Sequence, residues 1–261
     1  MRKVLQILSL IIVVLVLLIS IYSSNKPRVA SNETDTISFD SDSTRVSRTW
    51  TTYNESIQSI KYCISVASSE RAEEFRNNLP INQYFFTAND YWNSIYSQVY
   101  HEQKDYINSI ITSLNNLRKD RELNRNQFAR VIVSFVQDIP YTLVLAEQRC
   151  EDRTDYEGPC VSDVKYGIYT PIEFLSHLRG DCDTRTLLLY TILKQFDYNP
   201  IILTSREYAH SMLALDIQAS GDFILHNGRR HYFWETTAEG WDVGVLPPSS
   251  KNKNYWKKTL F

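Results

Sequence analysis

Apolar positions fall along this chain in one unbroken run followed by a series of periodic stretches. Val4 to Tyr22 is 19 residues without a charge. As a helix at 1.5 Å per residue it spans about 28 Å, close to the hydrocarbon thickness of a bilayer. Arg2 and Lys3 precede it, so residues 1–3 are expected to stay cytoplasmic and everything after Tyr22 to lie outside. A cleaved signal peptide is the competing reading. The run is long for one, Ser20-Ile21-Tyr22-Ser23 offers no small-x-small cleavage site, and no Cys follows for lipid attachment. Residues 4–22 are therefore expected to be an uncleaved transmembrane signal anchor. Residues 23–48 are rich in Ser, Thr, Asn and Asp with little apolar pattern, and read as a disordered stalk.

Periodicity begins near Thr49. Ile60, Tyr62, Ile64 and Val66 alternate with Lys61, Cys63 and Ser65, which predicts a half-buried strand. Ser68 or Ser69 is placed to cap a helix through Leu79, where Pro80 stops it. Trp92, Ile95, Tyr96, Val99, Tyr106, Ile110, Ile111, Leu114 and Leu117 predict one long helix opened by Asn89 or Asp90. Residues 49–125 thus read as a helical N-terminal part of the domain. Asn126 to Gln137 predicts another helix, ended by Pro140, with Phe128, Val131, Ile132, Phe135 and Val136 inward. Tyr169 to Arg179 predicts a short helix with Pro171 in its first turn and Gly180 as its C-terminal cap. Leu187, Leu188, Leu189, Ile192, Leu193 and Phe196 recur at helical spacing behind Cys182, with Asp183 or Thr184 as the cap. Four strands follow, at 200–204, 210–217, 223–225 and 232–234, the last two joined by a hairpin turn at Asn227-Gly228. The fold class is α+β, an antiparallel sheet packed on the Cys182 helix. Residues 126–248 form its core and 249–261 a basic, solvated tail.

Composition narrows the possibilities. A net charge of −2 gives no reason to expect a nucleic-acid partner. With 17 Tyr and only 7 Gly, the chain reads as a packed domain. Cys150 and Cys160 bracket a polar loop that turns through Gly158-Pro159. Outside the cytoplasm a disulfide there contributes about 2–3 kcal/mol by the chain-entropy model. A zinc site is the rival, but no His lies nearby and the spacing suits no zinc motif. Cys63, on a predicted strand, reads as a core residue. Cys182 is then left unpaired in an oxidising compartment, which suits a catalytic thiol better than a structural one. No acidic cluster has calcium-loop spacing, so neither metal nor cofactor is expected.

A thiol at a helix N-terminus meets unsatisfied backbone N–H groups and the positive end of the dipole, and both favour thiolate. Asp181 and Asp183 oppose this. A histidine partner decides the contest, and His210, opening a predicted strand, is the placed candidate. Glu235, at the end of the strand Tyr232-Phe233-Trp234, supplies an acid. Alternation puts Glu235 on the same face as Phe233. Asp216 is about 20 Å along the strand from His210, at 3.3 Å per residue, and Asp242 lies beyond Gly240 in a segment without a predicted place. Taken singly, a buried Cys is usually a small core residue and a His opening a strand is usually structural. Together Cys182, His210 and Glu235 have the order nucleophile, base and orienter on three rigid elements. His101, His177, His226 and His231 read as surface or turn residues.

The chain resembles the bacterial branch of the transglutaminase-like cysteine enzymes, within the wider papain-like group. The resemblance runs from about Phe128 to Pro248. It rests on Phe135-Val136-Gln137-Asp138-Ile139-Pro140-Tyr141, Thr170-Pro171-Ile172-Glu173-Phe174-Leu175, Gly180-Asp181-Cys182-Asp183, His210, Trp234-Glu235-Thr236-Thr237 and Gly240-Trp241-Asp242-Val243-Gly244. It implies a papain/transglutaminase-like core with Cys182 as nucleophile, His210 as base and Glu235 as third member. Two positions depart from the family pattern: Glu-Thr-Thr stands where Asp, often followed by Pro-Thr, is usual, and Thr184 stands where a second acid is frequent.

The expected activity is covalent acyl transfer on an amide or ester by a membrane-anchored extracytoplasmic enzyme, acting as peptidase, deamidase or cross-linker. Its substrate would be a protein or peptide of the bacterial cell envelope, and its place the cytoplasmic membrane, with the domain facing the periplasm or exterior. The backbone N–H of Cys182 is the first oxyanion donor. Tyr141 is a candidate for the second but reads more readily as a packed core tyrosine. A catalytically silent module of the same fold, used for binding in an envelope complex, is the alternative. A redox role is disfavoured because Cys182 has no Cys-x-x-Cys neighbour.

Overall fold

A computed structural model describes residues 35–81 and 87–261. The expected cytoplasmic tip, the anchor over 4–22 and the first part of the expected stalk lie outside the described residues. Among the described residues no helix is long and apolar enough to cross a membrane.

The architecture is mixed α+β, with six α-helices among the described residues and two antiparallel sheets. The first sheet contains β1 (Thr36–Phe39), β2 (Ser43–Thr51) and β3 (Ile57–Ser65) in that order. On β3, Gln58, Ile60, Tyr62 and Ile64 are buried and their neighbours exposed, the predicted alternation. Cys63 is on the outer face of this strand, which corrects its reading as a core residue; its N–H donates to Ser109 Oγ. β1 and β2 overturn the disordered stalk for residues 36–48. The buried face of β2 is Thr44, Val46, Arg48 and Trp50, so half of it is polar and the apolar signal is diluted. Arg48, fully buried, is held at 2.6 Å by Asp138 and at 3.3 Å by Asp35, with its guanidinium over the Phe135 ring.

β3 runs directly into α1 (Val66–Asn77), capped by Ser65 rather than Ser68 or Ser69. The expected long helix is two, α2 (Ala88–Gln103), capped by Thr87, and α3 (Asn108–Asp120). The polar run His101 to Asp105 carries no apolar stripe to hold a helix on the core, and the chain turns there. α4 (Arg125–Gln137) has a reciprocal capping box between Asn124 and Gln127. A short parallel pair, β4 (Leu143–Val144) with β5 (Cys160–Val161), flanks the loop closed by the Cys150–Cys160 disulfide, whose Cα atoms are 5.8 Å apart. α5 (Pro171–His177) has Pro171 in its first turn, as expected, and begins with a capping box of Thr170 and Glu173. It ends at Leu178, in the left-handed region at φ 53°, not at Gly180. Gly180 answers a packing need: a Cβ there would lie 2.7 Å from the side chains of Phe174 and Thr184.

α6 (Cys182–Gln195) is capped by Asp181, whose carboxylate accepts the Thr184 N–H at 3.1 Å. Neither Asp183 nor Thr184 is the cap. The helix is buried all round, polar positions Thr184, Arg185, Thr186 and Thr191 included, because α4 and α5 cover one side and the second sheet the other. That sheet contains β6 (Pro200–Ser205), β7 (His210–Leu215), β8 (Phe223–His226), β9 (Arg229–Trp234) and β10 (Lys257–Leu260), in the order β10-β6-β7-β9-β8, every pair antiparallel. Asn227 and Gly228, both at positive φ, make the predicted hairpin turn. β10 corrects the solvated tail. It closes one edge of the sheet, Trp256 is buried before it, and Asn89 and Asn93 of α2 donate to the carbonyls of Lys258 and Thr259.

Candidate active site

The pairing of β7 with β9 sets Leu213 opposite Trp234 and brings the start of β7 level with the end of β9. His210 and Glu235 therefore meet, with Nε2 2.9 Å from Oε2. Glu235 is 3 % exposed. Its other oxygen accepts the N–H groups of Thr236 and Thr237 at 2.9 Å and the Thr237 hydroxyl at 2.7 Å. The Thr-Thr pair after the acid thus supplies donors to it. Burial alone would raise this carboxyl, but the bonds and charge of His210 and the donors of Thr237 outweigh it and hold it below the usual range. Behind it, Gln137 donates one amide group to the carbonyls of Glu235 at 2.7 Å and Trp241 at 2.9 Å, tying α4 to the end of β9. The two rival acids are engaged elsewhere: Asp242 makes a two-pronged pair with Arg130, and Asp216 pairs with Arg229 at 2.9 Å.

Cys182 opens α6 and is 6 % exposed. Its thiol lies 3.8 Å from Asp183 Oδ2, while the Tyr96 hydroxyl donates to Asp183 Oδ1. Among the described residues no hydrogen bond joins Cys182 to His210. Burial pushes the thiol well above its usual range, and the charges of Asp183 and Asp181 push it further. The N–H and hydroxyl of Ser211, the residue after His210, work against them. Burial and the two aspartates thus outweigh the helix N-terminus in this arrangement of the site. Burial also raises both aspartates, and Asp183 adds its repulsion to Asp181.

Around the sulfur lie groups that periodicity did not single out. Arg185, one turn along α6 and fully buried, donates only to carbonyls: Gly180 at 3.0 Å, Val136 at 2.9 Å and Ile139 at 2.6 Å. It ties the segment before Cys182 to the end of α4, and burial draws its pKa down to about 10. Its guanidinium sits over the Tyr141 ring, and the Tyr141 hydroxyl accepts from the Cys182 backbone N–H. The signal in the sequence was a charge just before the apolar run Leu187-Leu188-Leu189. Trp256, assigned to the tail, packs edge-on to His210. His231, expected at the surface, is buried, and His177 is half-buried. A cleft of about 340 Å³ opens beside His210 and Glu235.

Chemically, the arrangement offers an imidazole whose Nε2 is held by a buried carboxylate, leaving Nδ1 free of it, and a thiol at a helix N-terminus that meets Ser211, the residue after His210. Among the described residues no cluster of three or more His, Cys, Asp or Glu is placed to hold a metal ion. No family model, curated protein or solved structure matches this chain.

Proposed function

We propose that this chain is a cysteine acyl-enzyme of transglutaminase-like type, in which Cys182 attacks an amide or ester carbonyl, His210 is the base and Glu235 orients it. The observation that carries this reading is the His210–Glu235 bond of 2.9 Å beside the N-terminus of the Cys182 helix. A buried carboxylate on one ring nitrogen fixes the tautomer and supports the imidazolium that forms when the other nitrogen takes a proton. The thiol turns from Asp183 toward His210, which takes its proton as sulfur attacks. The backbone N–H of Cys182 leaves the Tyr141 hydroxyl and donates to the oxyanion, with that hydroxyl beside it as the second donor. His210 then protonates the leaving amine, and water or a second amine releases the acyl group. The Cys150–Cys160 disulfide favours an oxidising compartment, in keeping with a domain outside the cytoplasm, anchored through residues 4–22 and acting on envelope protein or peptide.

The alternative, a catalytically silent binding module of the same fold, is favoured by one observation: the thiol faces Asp183 and makes no bond to His210. Incubation with p-nitrophenyl acetate separates the two. An acyl-enzyme gives a nitrophenol burst and a mass increase of one acetyl group on Cys182, both lost in His210→Ala. A silent module gives no burst and an unmodified Cys182.

A further inference from the structure

β7 turns alternate side chains to opposite faces of its sheet. Leu213 and Leu215 pack into the core that contains the leucines of α6, and Met212 and Ala214 pack with Phe233 and Trp256 on the other side. Ser211 has the parity of Leu213, so its side chain points at α6, where its Oγ lies 3.5 Å from Thr186 Oγ1. Thr186 is one helical turn after Cys182, on the same face of α6. The N–H and the hydroxyl of Ser211 both bond the Cys182 sulfur, and the same hydroxyl also reaches the Asp183 carboxylate and the Tyr96 oxygen. His210 has the other parity and stands against Trp256, so the β7 residue in touch with the resting sulfur is Ser211.

We propose that Ser211 is a catalytic residue of the acyl transfer, a two-donor cradle for the sulfur: its backbone N–H is held there, and its hydroxyl swings to the sulfur as the thiol gives up its proton. This rests on the acyl-enzyme reading. A serine hydroxyl has one proton, and here it has a choice of acceptors: the sulfur, Asp183, Tyr96 and Thr186. While the thiol keeps its proton, the sulfur is a weak acceptor and itself points to Asp183 at 3.8 Å. Once His210 takes that proton, the sulfur carries the charge and becomes a strong acceptor. The hydroxyl therefore favours the ionised form, which is the form that attacks.

Behind the hydroxyl stands a chain able to follow it. Thr186 Oγ1 lies 3.3 Å from Thr236 Oγ1, and the Thr236 N–H holds Glu235 at 2.9 Å. Ser211, Thr186 and Thr236 come from β7, from α6 and from just past β9, and all three are fully buried. Each hydroxyl both donates and accepts. When Ser211 turns its proton to the sulfur, Thr186 donates to the oxygen so vacated, and Thr236 to Thr186. Hydrogen bonds arranged head to tail in this way strengthen one another, and the distances found at rest tighten as the charge develops.

The test uses the full chain in detergent, with p-nitrophenyl acetate at pH 7 and, separately, iodoacetamide across pH, modification of Cys182 being read by peptide mass. In the first reaction the S–C bond forms as nitrophenolate leaves, and in the second as iodide leaves; in both the thiol proton goes to His210 and on to solvent. Ser211→Ala keeps the N–H and removes the hydroxyl. It is expected to retain a burst of one acetyl group per chain at a rate lowered at least about tenfold, the weight of one hydrogen bond to a charged group. Its alkylation midpoint is expected to rise by about one pH unit for the same reason. Ser211→Thr, which keeps a hydroxyl, is expected to bring the midpoint back toward that of the parent. Thr186→Val, which removes only the hydroxyl behind Ser211, is expected to shift it upward by less. Urea unfolding of each variant separates packing from chemistry, since a residue that only packs lowers the urea midpoint and leaves the alkylation profile in place. A burst in the parent, with a Ser211→Ala rate within about twofold and an unmoved profile, overturns the role of Ser211 while leaving the acyl-enzyme standing. Absence of any burst in the parent overturns the acyl-enzyme reading and this role with it.

Discussion

The indole of Trp256 stands edge-on to the imidazole of His210, with 5.9 Å between ring centres. Its Nε1 donates to the Ser250 carbonyl at 2.9 Å, and its ring also meets Tyr208 and Phe233. The C-terminal strap is thus part of the site wall. Trp256→Ala is expected to lose about 3–5 kcal/mol of stability, the usual cost of emptying a large aromatic site. Urea unfolding measures this, and a midpoint equal to that of the parent would return the segment to the status of a tail. Trp256→Phe, which keeps a ring against His210, is expected to lose less.

Glu235→Gln should fold like the parent, since an amide keeps the shape and can still accept from Thr236 and Thr237. Turnover, read as the rate of acyl-enzyme formation, is expected to fall about 10²–10⁴-fold because the amide no longer selects the productive imidazole tautomer. A rate within twofold of the parent would remove Glu235 from the mechanism.

Asp183 is a negative charge 3.8 Å from the thiol sulfur and opposes its ionisation. Asp183→Asn removes that charge, so the thiol pKa should fall and alkylation of Cys182 by iodoacetamide at pH 7 should accelerate. The pH–rate profile should move to lower pH. A profile that stays in place, or moves up, would mean that burial alone keeps the thiol neutral.

Replacing Arg185 by Met removes a charged donor from the carbonyls of Gly180, Val136 and Ile139, of which the first two keep the N–H groups of Thr142 and Ile139. Hydrogen bonds to a charged group contribute about 1.5–3 kcal/mol each, so a loss of at least about 3 kcal/mol is expected on denaturant unfolding. Arg185→Lys, which cannot span all three acceptors with one ammonium, should fall between. Full stability of the Met variant would show that these bonds carry no net weight.

Burial lowers His177 to about 4 in the folded chain, and its Nδ1 has no hydrogen-bond partner among the described residues. The unfolded value is about 6.5. Between those values the unfolded state binds the proton more readily, so stability should decline as pH falls from about 6.5 to about 4 and be fully present above that window. His177→Phe should flatten this part of the stability–pH curve relative to the parent. An identical slope in the variant would assign the effect to other groups.

Sequence alone determined those features whose cause is local. Alternation on β3 reports which face is buried, and Thr170 with Glu173 bonds the first turn of its own helix. Asn227 and Gly228 tolerate the positive φ a tight hairpin needs, and Cys150 and Cys160 flank a loop short enough to close on itself. The meeting of His210 with Glu235 was also within reach, because both sit at strand ends where alternation assigns a face.

Tertiary structure decided the rest, and in each case the determining partner is far away in the chain. Arg48 is tolerated inside β2 because Asp138 and Phe135 wait across the core. Residues 257–260 become an edge strand because β6 has an open side and α2 offers asparagines to the carbonyls of that strand. The state of Cys182 turns on distance as well. A helix N-terminus favours thiolate, and the residues flanking the sulfur are visible in any reading of the chain. How strongly their charges count depends on how much water remains around them, and folding removes most of it by packing α6 between two layers. Tyr96, brought from α2 to Asp183, completes the enclosure. Charges interact through whatever medium the fold leaves between them, and only the packed structure specifies that medium.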